Sequence, residues 1–211
     1  MAITTVYDGI EYRSRLEARW AAFMRNIGWD IVYEPFDGDG YIPDFLVQGP
    51  RPMLVEVKPA VTLAEYQAAV PKAEKGLAAH WSHDILIVGA SPLPSFPTDN
   101  RQPGDWEEID RRFPVGGVIL EPITKKDRRL VSTILLLESE QQKPDHQRWR
   151  GGEPRWGICQ DTGSYQIGTG SHLRPHGCQR FTCGRVLNSS AKMKSHWADA
   201  CNDVKWRGRA A

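Results

Sequence analysis

The stretch Met53-Leu-Val-Glu-Val-Lys58 constrains the fold of this 211-residue chain more than any other. Apolar residues at 53, 54, 55 and 57 mark a mostly buried strand. Side chains two apart on a strand point the same way, so Glu56 and Lys58 share one face and Val55 and Val57 the other. Burying a carboxylate and an ammonium in such a strand is costly unless they pair with each other or with a metal. Eleven residues separate Glu56 from Asp44, which follows Pro43 in the segment YIPDFLVQ. If that segment pairs beside MLVEVK, Asp44 joins the same face, and two carboxylates and an ammonium converge at one end of a sheet. Hard oxygen ligands of this kind suit Mg²⁺, which polarises a phosphodiester and acidifies a bound water. The lysine can stabilise charge developing on the phosphate, or help position and deprotonate the attacking water. The spacing alone equally allows a structural Glu56–Lys58 ion pair with an unrelated turn carboxylate at Asp44.

The elements around this strand read in a definite order. In SRLEARWAAFMRNIG, Leu16, Trp20, Phe23 and Ile27 recur at helical spacing, Ser14 can cap, and Gly28 stops the run. DIVYEPF is a short strand, FDGDG a turn, and Pro43 argues for an edge position or a bulge in the next strand. A second helix begins at Thr62, where Thr62 and Glu65 form a capping box. It carries Leu63, Tyr66, Val70, Ala73 and Leu77 on one face, and Pro71 is a candidate kink. HDILIVGA is another buried strand, residues 91–114 a surface excursion with five prolines, and VGGVILEPI and RRLVSTILLLES two strands paired across TKKD. This alternation predicts an α/β domain over residues 1–140. A polar linker follows at 141–157, and a basic module at 158–211.

Helix with Glu17, strand, strand with Pro43-Asp44, strand with Glu56-Val57-Lys58, helix, strand: this order, over roughly residues 7–90, resembles the PD-(D/E)XK nuclease superfamily. That superfamily includes restriction endonucleases, Holliday junction resolvases and phage recombination nucleases. The resemblance implies a restriction-endonuclease-like fold, a mixed central sheet flanked by helices. It also implies a metal-dependent endodeoxyribonuclease, a hydrolase of phosphodiester bonds. Asp44 and Glu56 would hold Mg²⁺ (or Mn²⁺), Lys58 would be the catalytic lysine, and Glu17 would complete the metal site or orient its water. Ser14-Arg-Leu-Glu17 is at the same time a capping box, which gives Glu17 a purely structural alternative. Tyr66 and Gln67 stand where this fold often places a phosphate contact, although core packing is the expected fate of Tyr66. The same resemblance points to a phage or mobile element, acting in the cytoplasm of a bacterial cell or infected host.

The second constellation is Cys178-x4-Cys183-x12-His196-x4-Cys201. Tetrahedral Zn²⁺ takes four Cys or His ligands, usually as two close pairs about a dozen residues apart. Here a hairpin-like turn would give one pair and the helix in SSAKMKSHWADAC the other, near one face at the helix end. The pattern resembles a CCHC zinc finger, with Zn²⁺ structural rather than catalytic. Cys159 is left over beside His172 and His176. It reads as a free thiol, or as part of a larger and less regular zinc ribbon. All four cysteines lie in this segment, which in an intracellular protein favours metal over disulfides.

Charge divides the chain in the same place. Residues 1–142 carry 15 basic against 21 acidic side chains, and residues 143–211 carry 12 against 5. A basic module with Arg185, Lys192 and Lys194, and with Trp197 and Trp206 interleaved, suits phosphate contact and base stacking. The partner expected is DNA, whether linear, branched or single-stranded, and a homodimer would allow both strands to be cut. No apolar run approaches the length of a membrane span and the N-terminus lacks a signal-peptide layout, so a soluble cytoplasmic protein is expected. The rival from another class is a non-catalytic protein that binds DNA or protein through its finger, on an inactive nuclease scaffold.

Overall fold

A computed structural model describes residues 2–38, 40–49, 52–77, 81–92, 115–122, 128–135, 154–159, 165–169, 172–174, 185–187 and 190–205. The chain opens with an antiparallel hairpin, β1 (Thr5–Tyr7) and β2 (Ile10–Tyr12). Its two-residue turn, Asp8-Gly9, has positive φ at both positions, 51° and 75°. That is the twist a tight hairpin needs.

Helix α1 (Arg15–Asn26) follows. Ser14 caps it, its Oγ accepting from the Glu17 N–H at 3.1 Å. At the other end the N–H of Gly28 donates to Arg25 O and that of Trp29 to Met24 O, the paired bonds that close a helix C-terminus.

The central sheet then builds outward in sequence order: β3 (Ile31–Tyr33), β4 (Phe45–Val47), β5 (Met53–Val57), β6 (Ile85–Val88), β7 (Val115–Pro122) and β8 (Arg128–Leu135). All neighbours are antiparallel except β5 and β6. Those two run parallel because helix α2 (Leu63–Leu77) carries the chain back between them. The fold is thus α/β with a mixed sheet. The VGGVILEPI and RRLVSTILLLES strands pair as expected. Pro43 does not mark an edge strand: it sits just before β4, and β4 is flanked by β3 and β5. Lying outside the ladder, its missing N–H removes no sheet hydrogen bond.

Alternation along β5 sorts the core into two layers. Met53, Val55 and Val57 pack with Trp20, Phe23 and Met24 of α1, whereas Leu54 packs with Tyr66 and Ala73 of α2. Tyr12 of the hairpin joins the α1 layer, its ring 4.5 Å from that of Tyr33.

A second antiparallel sheet holds β9 (Pro154–Cys159), β10 (Tyr165–Thr169), β11 (His172–Arg174) and β12 (Arg185–Leu187), in the order β11-β10-β9-β12. Because β9 begins at Pro154, the last residues of the stretch read as a linker to 157 belong to a strand. Trp156 and Ile158 stand in register with Ile167 and Tyr165, the alternation that a paired strand supplies.

Helix α3 (Ser190–Asp203) closes the described chain. Its Met193 and Ala200, and Val204 just after it, are buried in the same core as α1. Trp197 lies there as well, 5.2 Å from the Trp20 ring and 5.7 Å from Phe23. The sequence suggested Trp197 as an exposed platform for bases; its helical spacing with Met193 and Ala200 instead turns it toward α1.

Candidate active site

Two strand registers place the charges. Phe45 pairs with Val55, and one further step of the same register sets Asp44 across from Glu56. On its other side the Asp44 carbonyl accepts from the Glu34 N–H at 3.0 Å, extending the β3–β4 ladder. Beyond β5 the Lys58 N–H donates to Val88 O at 2.8 Å, so the backbone under the lysine stays pinned to β6. The sheet therefore holds Asp44, Glu56 and Lys58 on the α2 side, as the alternation predicts.

These three side chains line a cavity of about 330 Å³ together with Arg13, Glu17, Tyr41 and Lys72. Glu17 reaches it from the first turn of α1. One Glu17 oxygen accepts from Ser14 Oγ at 2.8 Å and the other from the Tyr33 hydroxyl at 2.8 Å. Capping and cavity lining are thus not alternatives for this residue. The Ser14–Glu17 contact that closes the helix also aims the carboxylate.

The carboxylates are buried and crowded: Glu17 is 8% exposed, Asp44 4% and Glu56 4%. Asp44 Oδ2 accepts from the Val57 N–H at 2.6 Å, and Oδ1 from Arg13 Nη2 at 2.5 Å. Glu56 Oε1 pairs with Lys58 Nζ. Glu56 Oε2 and the neighbouring Tyr41 hydroxyl are both buried without a hydrogen-bond partner of normal geometry. Burial, and then the Glu56 and Glu17 charges, push the Asp44 carboxyl up to about 7, against the pull of the Val57 N–H and of Lys58. Burial and the Glu56 charge likewise hold the Tyr41 hydroxyl in its protonated form.

This donor set fits a divalent cation of the Mg²⁺ type. Glu56 Oε2 is a buried carboxylate oxygen with the Tyr41 hydroxyl beside it, and the crowding of Glu56 against Asp44 is a costly state that a cation would relieve. Asp44 Oδ1 is the second hard oxygen, since Oδ2 is committed to the backbone, and in the structure it accepts from Arg13. Among the described residues no three His, Cys, Asp or Glu side chains close on a common point. Mg²⁺ sites commonly use one or two carboxylates and complete the shell with water, so two donors suffice.

Sequence reasoning missed Arg13, Tyr33, Tyr41 and Lys72. Each reaches the site through tertiary placement, and no motif spacing signals it. Tyr66 is fully buried, its hydroxyl packed so closely on Gly89 that a Cβ there would lie 1.8 Å from it. Gln67 is exposed and does not line the cavity.

Of the expected zinc ligands, Cys178 and Cys183 lie outside the described residues. His196 and Cys201 are both half-buried on α3, which continues past them to Asp203. Five helical residues apart, they flank the buried Met193–Ala200 stripe on opposite sides, roughly 140° apart around the axis. Cys159 and His172 occupy strand positions in the second sheet, and His176 lies outside the described residues. Lys192 and Lys194 are exposed on α3, and Arg185 begins β12. No helix among the described residues is long and apolar enough to cross a membrane. Comparison with protein-family models, with curated proteins and with solved structures returned no match.

Proposed function

We propose that the chain is a divalent-metal-dependent DNA endonuclease of the PD-(D/E)XK type, with a restriction-endonuclease-like catalytic domain. One observation carries this reading. Asp44, Glu56, Lys58 and Glu17, far apart in sequence, line a single cavity in which three buried carboxylates crowd together. A purely structural Glu56–Lys58 pair would need neither the cavity nor the additional buried carboxylates.

Asp44 and Glu56 would hold the ion, which supplies Lewis-acid polarisation of the phosphodiester and a more acidic attacking water. Lys58, partly open to the cavity at 28% side-chain exposure, donates to a phosphate oxygen as negative charge grows there. Glu17, fixed by Ser14 and Tyr33, orients the attacking water. The water oxygen forms the new bond to phosphorus, the bond to one ester oxygen breaks, and that oxygen takes up a proton. The exposed Lys192 and Lys194, with Arg185, would add sequence-independent phosphate contacts. A zinc ion on Cys178, Cys183, His196 and Cys201 would require the last turn of α3 to unwind, since the straight helix sets His196 and Cys201 about 140° apart.

The test is cleavage of plasmid, single-stranded and four-way-junction DNA with and without Mg²⁺, comparing the wild type with Lys58→Ala and Asp44→Asn. Metal-dependent nicking or cutting by the wild type alone supports the reading. DNA binding with no cleavage of any substrate would favour the non-catalytic rival.

A further inference from the structure

Arg13 lines the cavity and lies against two of its acids, Asp44 and Glu17, and against Glu34 outside it. Nη2 donates to Asp44 Oδ1 at 2.5 Å, Nε lies 2.9 Å from Glu34 Oε1, and Nε is 3.8 Å from Glu17 Oε2. Its side chain is half exposed, whereas that of Asp44 is 5% exposed. The guanidinium therefore reaches from solvent down onto the one Asp44 oxygen that the backbone leaves available. A divalent cation at Asp44 would need that same oxygen, and two cations cannot share it without repulsion.

Glu34 gives Arg13 a second place to rest. It has φ 46°, a backbone conformation that L-residues rarely adopt, and its carboxylate lies 2.9 Å from Arg13 Nε. Such outliers cluster where a structure is held for use. An Arg13 that leaves Asp44 could stay tethered through Nε to Glu34, leaving its Nη groups free for another acceptor. A guanidinium fork presented in this way matches the oxygens of a phosphodiester.

Resting on the nuclease reading above, we propose that Arg13 is a substrate-phosphate-binding residue stored on Asp44, competing there with the divalent cation until it is released to the DNA backbone. Storage keeps the buried carboxylate neutralised while the site is empty of metal. Release makes a phosphate donor available only once the cation has replaced it. The chain's own Arg13–Asp44 contact thereby orders metal loading before productive phosphate binding.

Two readouts with opposite signs test this. Mn²⁺ titration, followed by the loss of free-ion electron paramagnetic resonance signal, should show Arg13→Gln binding the ion more tightly than wild type, by roughly fivefold. Steady-state cleavage by the same variant should show a raised KM for DNA, with kcat changed much less. Arg13→Lys keeps the charge but cannot bridge two carboxylates, so its Mn²⁺ affinity should lie between the two. It carries the test if the glutamine variant does not fold. Equal or weaker Mn²⁺ binding by both variants would overturn the proposal, because Arg13 would then be propping Asp44 for the metal. Tighter Mn²⁺ binding with an unchanged KM would overturn the phosphate contact. Absence of Mn²⁺ binding by the wild type and by both variants would instead sink the metal-site reading itself, and this proposal with it.

Discussion

The two faces of β5 are built from alternate residues of one five-residue strand, yet they do different work. On the α1 face Met53, Val55 and Val57 meet Trp20, Phe23 and Met24, and α3 extends the layer with Met193, Trp197 and Ala200. On the α2 face the apolar layer stops at Leu54, and the next two positions, Glu56 and Lys58, turn into the cavity. One face is closed by aromatic packing and the other is left open around charge. Apolar packing and buried charge are therefore separated by the period of a strand, and on the proposed nuclease reading substitutions one residue apart should act on different properties.

The largest effect should come from the open face. Lys58→Ala should lower the cleavage rate by at least about 10²–10³-fold, the loss seen when a transition-state charge donor is removed. DNA affinity should barely move, since one phosphate contact counts little in the ground state, whereas the metal-free fold should lose stability because the buried Glu56 loses its ion-pair partner. Cleavage by this variant at the wild-type rate would mean that the Glu56–Lys58 pair is only structural, and the contrast between the faces would fail.

The closed face should respond in the opposite way. Trp20 is fully buried and its Nε1 donates to Gly89 O at 2.7 Å, so Trp20→Ala should cost about 3–5 kcal/mol by chemical denaturation. Met193→Ala, in α3, should cost about 2–5 kcal/mol in the same transition if α3 belongs to that core. If Met193→Ala instead leaves the main transition in place and produces a separate early one, the α1–α3 contact is not part of the cooperative unit.

A third comparison uses the ligand. Mn²⁺ or Mg²⁺ at about one hundred times its Kd should stabilise the wild type by roughly 2.7 kcal/mol, because the folded chain alone offers the paired carboxylates. Asp44→Asn and Glu56→Gln should lose this increment, whereas Val55→Ala should keep it despite a lower starting stability. Equal stabilisation of all four proteins would place the ion elsewhere.

Much of this division was legible in the sequence, because it rests on local periods. Alternation in MLVEVK sets the two faces, and the Thr62–Glu65 box starts α2: Glu65 Oε2 accepts from the Thr62 N–H at 2.9 Å. The first hairpin was missed although Asp8-Gly9 between Val6-Tyr7 and Ile10 is a strong turn signal. Two three-residue strands are too short for alternation to stand out. Arg13 and Tyr33 were not legible for a different reason. Their site contacts join residues 31 and 16 positions apart, through the way α1 lies against the sheet edge. Nothing in the local sequence encodes that crossing. The docking of α3 was hidden likewise, since its apolar stripe at 193, 197 and 200 would serve equally well as the core of a small independent module.

The smallest effect should come from Ser14, which touches both sides of the comparison. Its Oγ accepts from the Glu17 N–H, closing the first turn of α1, and donates to Glu17 Oε1, aiming that carboxylate into the cavity. Ser14→Ala removes both bonds at once. Losing the cap should cost about 1 kcal/mol of stability. Glu17 keeps its bond from the Tyr33 hydroxyl, so its carboxylate should loosen rather than leave, and cleavage should slow by a modest factor. Ser14→Asp separates the two roles. An aspartate restores the cap to the Glu17 N–H but cannot donate to the Glu17 carboxylate, and it adds a charge beside it. Stability should then recover while cleavage stays low or falls further. If Ser14→Asp cleaves at the wild-type rate, Glu17 needs no aiming by Ser14, and the capping bond is the whole of that residue's contribution.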